Sequence, residues 1–229
     1  MDFSRLEKKL GISFNDKALL KQSLVHRSYL NEHPEYEGGA NERLEFLGDA
    51  ILEFVVSFYL FTHFPHLPEG RLTAIRSALV STQNLAKTAK KLQLGNFLFL
   101  ARGEESGGRK NPGILGDTVE SLIGAIFLDQ GLERAKEFIQ KTILTRLPEI
   151  IKTKSYQDPK SKLQEITQEQ YKTLPLYKIL KEEGPDHAKI FTVAVFVAGK
   201  QMGQGRGGSR QEAEKKAAQK ALEKIQKLG

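Results

Sequence analysis

The stretch NERLEFLGDAILEF, residues 41–54, limits the possible folds more than any other part of the sequence. If it turns by about 100° per residue, as an α-helix does, its four acidic residues fall within an arc of about 80°. These residues are Glu42, Glu45, Asp49 and Glu53. Large apolar residues occupy the opposite side. The segment therefore predicts a helix that is buried along one face and carries a narrow acidic stripe along the other.

The acidic stripe has two interpretations when this stretch is considered alone. Most charged stripes are simply the solvated faces of helices. Here, however, Arg43 is the only cation nearby, and large apolar side chains flank the stripe. Carboxylates at these spacings repel one another, and in a partly buried place they would remain protonated unless a cation bound among them. A metal site is therefore the alternative interpretation.

A second stretch, ILGDTVESLIGAIFLDQG at residues 114–131, repeats this design. Asp117 and Glu120 lie at positions i and i+3, and most of the remaining helix is apolar. Gly124 lies on the acidic side here, as Gly48 does in the first stretch. Glycine within a helix costs about 1 kcal/mol relative to alanine, so two glycines beside acids suggest a packing or functional reason.

The two stretches together predict a metal site. If their small faces pack against each other, four carboxylates converge at one place. These belong to Glu45, Asp49, Asp117 and Glu120. Four oxygen ligands, in a chain without cysteine, suit a hard divalent cation such as Mg²⁺ or Mn²⁺ better than zinc.

The net charge of +7 lies entirely in the last third of the chain. Residues 1–150 contain 19 Lys and Arg against 19 Asp and Glu, whereas residues 151–229 contain 16 against 9. A basic segment joined to a neutral, acid-centred domain indicates a polyanionic partner. Binding to a membrane surface is the alternative, but the basic part has no strong amphipathic anchor with Trp or Phe on one side.

The cysteine content and the hydropathy of the sequence indicate where in the cell the protein is located. The absence of cysteine excludes disulfides and thiolate metal sites, and it fits a reducing environment. The first residues, MDFSRLEKKLGISFND, lack an apolar run of signal-peptide length, and no segment is long enough to span a bilayer. We therefore expect a soluble, cytoplasmic protein.

The apolar periodicity divides the chain into two predicted domains. The first, residues 1–150, is predicted to be almost entirely helical, with helices at 3–10, 16–30, 41–62, 70–92, 112–129 and 131–150. The polar stretch 151–157 is predicted to be a linker. Residues 158–229 then follow the order α-β-β-β-α, and Ser209 and Glu212 have the spacing of a capping box at the start of the last helix. This order predicts a three-stranded antiparallel sheet with two helices on one face.

The sequence NERLEFLGDAIL resembles the signature of the ribonuclease III family, endonucleases that cut double-stranded RNA. The resemblance continues through LVHRSYLNE, LPEGRLTAIRSALVS, GEESGGR, ILGDTVESLIGAIFLD and DPKSKLQE, and so covers nearly the whole chain. The final module is similar to a double-stranded-RNA-binding domain. The resemblance implies an all-α endonuclease domain at 1–150 and an α+β (α-β-β-β-α) RNA-binding domain at 158–229, which is the layout of the simple bacterial-type enzyme.

The resemblance also implies roles for individual residues. Four carboxylates match the family's metal cluster, namely Glu45, Asp49, Asp117 and Glu120, of which Asp49 and Glu120 are taken as catalytic. Glu42 matches a further acid of the signature, with a structural or RNA-contacting role, and Phe46 matches an aromatic that the family inserts into its dimer partner. Gln164, Gln168 and His187 match minor-groove contacts, and Lys215 and Lys216 match phosphate contacts across the major groove.

The leading hypothesis is a homodimeric, Mg²⁺-dependent endonuclease for double-stranded RNA, with Mn²⁺ able to replace Mg²⁺ and with no small-molecule cofactor or membrane partner. The resemblance implies products with a 5′-phosphate, a 3′-hydroxyl and short 3′ overhangs, in the processing of rRNA and other structured transcripts. A non-cleaving RNA-binding protein of the same fold is an alternative, although it would normally have lost at least one acid. A phosphohydrolase of small molecules would leave the basic module without a purpose.

Overall fold

The computed structural model describes residues 3–185 and 189–228, and the chain folds into two compact units, Met1–Tyr156 and Gln157–Gly229. The described part of the first unit is helical, whereas the second unit contains a small antiparallel sheet with helices. This arrangement confirms the predicted fold class, a helical domain followed by an α-β-β-β-α module.

The helices of the first unit are joined by short loops and two 3₁₀ turns. They are α1 (Ser4–Leu10), α2 (Lys17–Gln22), α3 (Arg27–Glu32), α4 (Glu42–His63), α5 (Glu69–Val80), α6 (Thr82–Leu92), α7 (Arg102–Gly108), α8 (Pro112–Thr142) and α9 (Leu147–Thr153). Helix α8 is interrupted at Gly131, where φ is 80°. The longest helices, α4 and α8, correspond to the two acidic stretches and pack along each other.

Local hydrogen bonds break two of the predicted helices into shorter ones. The predicted helix at 16–30 becomes α2 and α3, because the side chain of Asp16 caps the start of α2 and that of His26 caps the start of α3. The predicted helix at 70–92 is divided into α5 and α6 at Ser81, whose Oγ accepts the N–H of Asn84. A side-chain cap of this kind satisfies a free N–H at a helix start, so each cap fixes a new beginning.

Two predicted irregular segments are helical instead. The stretch GEESGG, which lies between the predicted helices at 70–92 and 112–129, forms most of α7. The predicted linker at 151–157 begins too early, because residues 151–153 belong to α9. Pro148 lies in the first turn of α9, where a missing N–H is tolerated, so this proline starts a helix rather than ending one.

The second unit contains α10 (Pro159–Tyr171), β1 (Leu176–Glu183), β2 (Ile190–Val197), β3 (Lys200–Gly207) and α11 (Arg210–Leu228). The strands pair antiparallel in the order β1-β2-β3. Both helices pack on the sheet around a small core that includes Leu163, Val195, Ala217 and Ala221. Alanines at this spacing on α11 allow the helix to lie close to the sheet.

Candidate active site

Two glycines bring the acidic faces of α4 and α8 together. A Cβ atom on Gly48 would lie 1.7 Å from the carbonyl oxygen of Glu120, and one on Gly124 would lie 2.2 Å from the carbonyl oxygen of Leu44. No side chain fits at either position, because the atoms in the way belong to the backbone. The two helices therefore pack backbone to backbone at this point, as the sequence predicts.

Three carboxylates converge beside this contact. Oxygens of Glu45, Asp117 and Glu120 lie within 4.8 Å of one another, and all three side chains are half-buried. The described residues contain no other group of this kind. Asp49 lies outside this close group and is exposed, but its charge acts strongly on Glu120. The structure thus places three of the predicted carboxylates in one cluster and the fourth at its edge.

Burial and mutual repulsion disfavour the charged forms of these acids. Burial, followed by the charges of Asp49, Asp117 and Glu45, raises the pKa of Glu120 to about 8. Burial also raises the pKa of Glu45, with Asp117 as the strongest charged neighbour. The charged neighbours that raise the pKa of Glu120 are thus three acids. A cluster of this kind is unfavourable without a cation, and its oxygen-only donor set fits Mg²⁺ or Mn²⁺.

His26 is the basic neighbour of the cluster. Burial raises the pKa of Asp117, and the His26 side chain opposes this rise. The Nδ1 atom of His26 lies 2.8 Å from Ser28 Oγ and 3.4 Å from an oxygen of Glu104. The sequence does not predict this neighbour, because His26 is far from both acidic stretches and the HRS tripeptide has no metal-ligand spacing of its own.

Helix α3 also holds α7 in place beside the cluster. The Oγ atom of Ser28 accepts the N–H of Ala101 at 3.1 Å, and the carboxylate of Glu32 accepts the N–H of Arg102 at 3.2 Å. Both contacts satisfy free N–H groups at the start of α7. A helix that is rich in glycine is thus stabilised by side chains about 70 residues away.

The ends of the acidic stripe on α4 have a different environment from its centre. Glu42 lies 3.6 Å from an Arg27 nitrogen, and Glu53 lies 3.4 Å from an Arg76 nitrogen. These two acids are thus paired surface residues, whereas Glu45 and Asp49 face other acids. The interpretation as a solvated charged face thus fits the two ends of the stripe, and a metal site at its centre stays a prediction.

Phe46 is a large apolar residue whose side chain lies on the surface of α4. Its side chain is 82% exposed, and it borders a shallow groove. The groove is lined by four leucines together with Gln22, Glu42 and Arg43, and the leucines are Leu19, Leu44, Leu47 and Leu128. A large exposed apolar side chain therefore lies beside a groove in which half of the lining residues are leucines.

The structure places the predicted RNA contacts of the second unit on its surface. Gln164 and Gln168 are exposed one turn apart on α10, whereas His187 lies outside the described residues. Lys215 and Lys216 are exposed on α11, and each is paired with a carboxylate.

A buried acid holds two further cations that the sequence does not single out. Glu214 is 6% exposed, and its carboxylate accepts hydrogen bonds from Lys160 at 2.6 Å and from Arg210 at 2.8 Å. Burial works against its charged form, but the hydrogen bonds and the positive charges of Lys160 and Arg210 together outweigh burial and lower the pKa of Glu214. The acid thereby joins the starts of α10 and α11, and it leaves both cations partly exposed.

Models of two protein families match the chain in the same order as its two units. The ribonuclease-III-like family matches residues 16–147, and the double-stranded RNA binding motif matches residues 159–225. The chain belongs to the ribonuclease III family. The acidic cluster lies within the first match, and Gln164, Lys215 and Lys216 lie within the second.

Curated and solved relatives agree with this assignment. Ribonuclease 3 of Geobacillus sp. (strain WCH70) is 45% identical over 228 residues, which cover 99% of this chain and 92% of the relative. Ribonuclease 3 of Chloroflexus aggregans is 46% identical, and the match covers 97% of both chains. The nuclease domain of ribonuclease III from Campylobacter jejuni matches with a TM-score of 0.59 and 42% identity, covering 64% of this chain and 99% of that domain.

As a member of the ribonuclease III family, the protein is a double-stranded-RNA-specific endoribonuclease and a metal-dependent nuclease. The predicted family, fold class and activity are thereby confirmed. None of the described helices is long and apolar enough to cross a membrane. The predicted cytoplasmic location stays a prediction.

The raised pKa of Glu120 gives a prediction for the stability of this ribonuclease III. Folding raises this pKa from its usual 4.5 to about 8, so protonated Glu120 stabilises the metal-free fold below pH 4.5, and this stabilisation is lost as the pH rises through about 8. Thermal unfolding in EDTA should show that Glu120→Gln is more stable than the parent at roughly pH 9, with a difference that shrinks towards pH 5. A difference that does not change with pH would contradict the repulsion described above.

Proposed function

We propose that this ribonuclease III uses Mg²⁺, held by Glu45, Asp49, Asp117 and Glu120, to hydrolyse phosphodiester bonds in double-stranded RNA. The observation that carries the proposal is the half-buried carboxylate cluster, in which Glu120 has a pKa of about 8. When bound, the cation would activate water and stabilise charge on the leaving 3′ oxygen. Mn²⁺ prefers the same oxygen ligands and would replace Mg²⁺.

The protein contributes mainly the positions of its carboxylates. Glu45 and Asp49 come from α4, Asp117 and Glu120 come from α8, and the Gly48–Gly124 contact fixes the distance between the two helices. Side chains on two rigid helices are held more accurately than side chains on loops. Asp49 is the most exposed of the four, so its carboxylate is accessible from solvent, and Asp49 and Glu120 form the proposed catalytic pair.

We propose a division of labour between the two units. Residues 1–150 would cut, and residues 158–229 would bind the duplex through Gln164, Gln168, His187, Lys215 and Lys216. Such a module reads the shape of A-form RNA and its 2′-hydroxyl groups rather than its sequence. Cleavage would leave 5′-phosphate and 3′-hydroxyl ends with short 3′ overhangs, and the substrates would include rRNA precursors and other structured transcripts. Glu42, paired with Arg27, would have a structural role at the start of α4.

A homodimer through the catalytic unit completes the proposal. One solved nuclease domain of ribonuclease III from Campylobacter jejuni is described as having a region involved in dimer formation. In this chain, the exposed Phe46 beside the apolar groove at Leu47 and Leu128 supports an interface in which each copy inserts its phenylalanine into the other. Two active sites in one dimer would cut one strand each.

The dimer is tested by changing Phe46. We expect Phe46→Glu to sediment as a monomer at micromolar concentration, because the inserted apolar side chain would be replaced by a carboxylate that is costly to bury among leucines. Leu174→Glu is the matched control, since Leu174 is also an exposed apolar residue but lies in the RNA-binding unit. The parent and the control should remain dimeric. A parent chain that is itself monomeric, or a dimeric Phe46→Glu, would count against this interface.

The RNA contacts are tested by the salt dependence of binding. Replacing Lys215 and Lys216 with Ala removes two phosphate contacts, so the slope of log K against log salt should become shallower by about one to two units. Replacing Lys8 and Lys9, two exposed lysines of α1, removes the same charge from the other unit and should leave the slope nearly unchanged. Equal slopes for both double variants would place the phosphate contacts elsewhere.

A further inference from the structure

Lys216 is held by a carboxylate that is itself fixed to the backbone. One oxygen of Glu212 lies 2.6 Å from Lys216 Nζ, and the other accepts the N–H of Gly208 at 2.9 Å. Gly208 belongs to the glycine-rich segment directly before α11. The Lys216 ammonium and the Gly208 N–H lower the pKa of Glu212, so this acid stays charged.

Lys215 is held in the same way by an acid at the start of α10. One oxygen of Asp158 lies 3.3 Å from Lys215 Nζ, and the other accepts the N–H of Lys160 at 3.0 Å. Asp158 is thus the N-cap of α10 and the ion-pair partner of a lysine on α11. Both predicted phosphate contacts therefore share one design, with one carboxylate oxygen on a backbone N–H and the other on the lysine.

This design affects how the two lysines can bind RNA. A phosphate and a carboxylate compete for the same donors on an ammonium group, and a fixed carboxylate close by also repels the phosphate. Because each carboxylate is anchored by the backbone, it does not move away freely when RNA approaches. A lysine that is already paired adds less net positive charge to the surface than a free lysine does.

We propose that Asp158 and Glu212 set the affinity for double-stranded RNA by competing with its phosphates for Lys215 and Lys216. This inference rests on the proposed role of the two lysines. In the free protein each lysine is paired with its acid, and on RNA binding each exchanges the carboxylate for a phosphate. The acids would thus keep binding weaker and less dependent on salt than the lysines alone would make it.

The test uses Asp158→Asn and Glu212→Gln in the full chain. Each variant keeps an oxygen for the backbone N–H but loses the charge, and asparagine is itself a good N-cap. We expect each variant to bind a long RNA duplex about two- to fivefold more tightly in EDTA, where a metal-dependent nuclease does not cut. The slope of log K against log salt should also become steeper, by about half a unit per variant, because each lysine contributes only part of a full unit in the parent.

Two comparisons separate this mechanism from a general effect of charge. Glu223→Gln removes an exposed acid further along the same helix and should change affinity much less. In the background of Lys216→Ala, the change of Glu212 to Gln should bring no gain. A gain that persists without Lys216, or one that Glu223→Gln matches, would overturn the proposal.

The measurements also distinguish a failure of this inference from a failure of the proposed lysine contacts with RNA. If the two acid variants bind like the parent while the double lysine variant has a shallower slope, the lysines contact RNA but the acids do not compete, and the inference is wrong. If the double lysine variant keeps the parent slope, the lysine contacts themselves are wrong and the inference is overturned with them. Thermal unfolding of each variant confirms that the helix starts remain folded.

Discussion

Replacing Glu120 with Gln is expected to reduce cleavage of double-stranded RNA by several orders of magnitude while RNA binding is retained. Glutamine keeps the size and one oxygen of the side chain but removes the charge at the centre of the cluster. A positioned metal ion supplies several kcal/mol of transition-state stabilisation, and about 1.4 kcal/mol corresponds to a tenfold change in rate. Binding depends mainly on the second unit, so it should survive. Asp49→Asn should behave like Glu120→Gln.

The measurement is single-turnover cleavage of a duplex in Mg²⁺, together with a binding assay in Ca²⁺. Glu53→Gln is the matched control, because it removes one charge from the same acidic stripe but from a residue paired with Arg76. The control should cut at close to the parent rate. If Glu120→Gln also cuts at close to that rate, the assignment of the metal cluster is wrong.

Replacing Gly48 with Ala is expected to have the second large effect, on stability and activity together. The new Cβ would lie 1.7 Å from the carbonyl oxygen of Glu120, so α4 and α8 must move apart. Overpacking of this kind typically costs about 1–3 kcal/mol of folding free energy, and occasionally more. The displaced helices would also separate Glu45 from Asp117 and Glu120, so cleavage should fall even at temperatures where the variant is folded.

Gly70→Ala provides the comparison for Gly48→Ala. Gly70 lies in α5, and an added Cβ there meets nothing within 4 Å. Because alanine is favoured over glycine in a helix by up to about 1 kcal/mol, this variant should be as stable as the parent or slightly more stable. Denaturant unfolding and cleavage assays of both variants test the packing account. A Gly48→Ala variant with parent stability and activity would refute it.

The features that could be predicted from sequence are those with a regular pattern. The apolar periodicity of residues 41–62 predicts α4 closely, and the paired glycines predict the close contact with α8. The antiparallel sheet of the second unit follows from three β-rich runs between two helices. In each case the prediction rests on a repeating pattern of apolar residues or on a glycine that is unfavourable in a helix unless another backbone lies close to it.

The features that could not be predicted depend on contacts between distant residues. Helix α7 forms where glycines suggest a break, because Ser28 and Glu32 satisfy its first N–H groups. The approach of His26 to Asp117 likewise depends on the packing of α3, not on any local pattern. The pairing of Lys215 with Asp158 requires α10 and α11 to pack side by side, so the sequence alone does not show it.

The most direct test of the central claim is calorimetric titration of the metal-free protein with Mn²⁺ at neutral pH, in buffers of different ionisation enthalpy. Because the pKa of Glu120 is about 8, much of this side chain is protonated before metal binds. We predict that Mn²⁺ binds the parent and Glu53→Gln with release of a proton, and that it binds Glu120→Gln far more weakly without that release. Equal Mn²⁺ binding by the parent and Glu120→Gln, with no proton released by either, would contradict a metal site at this cluster.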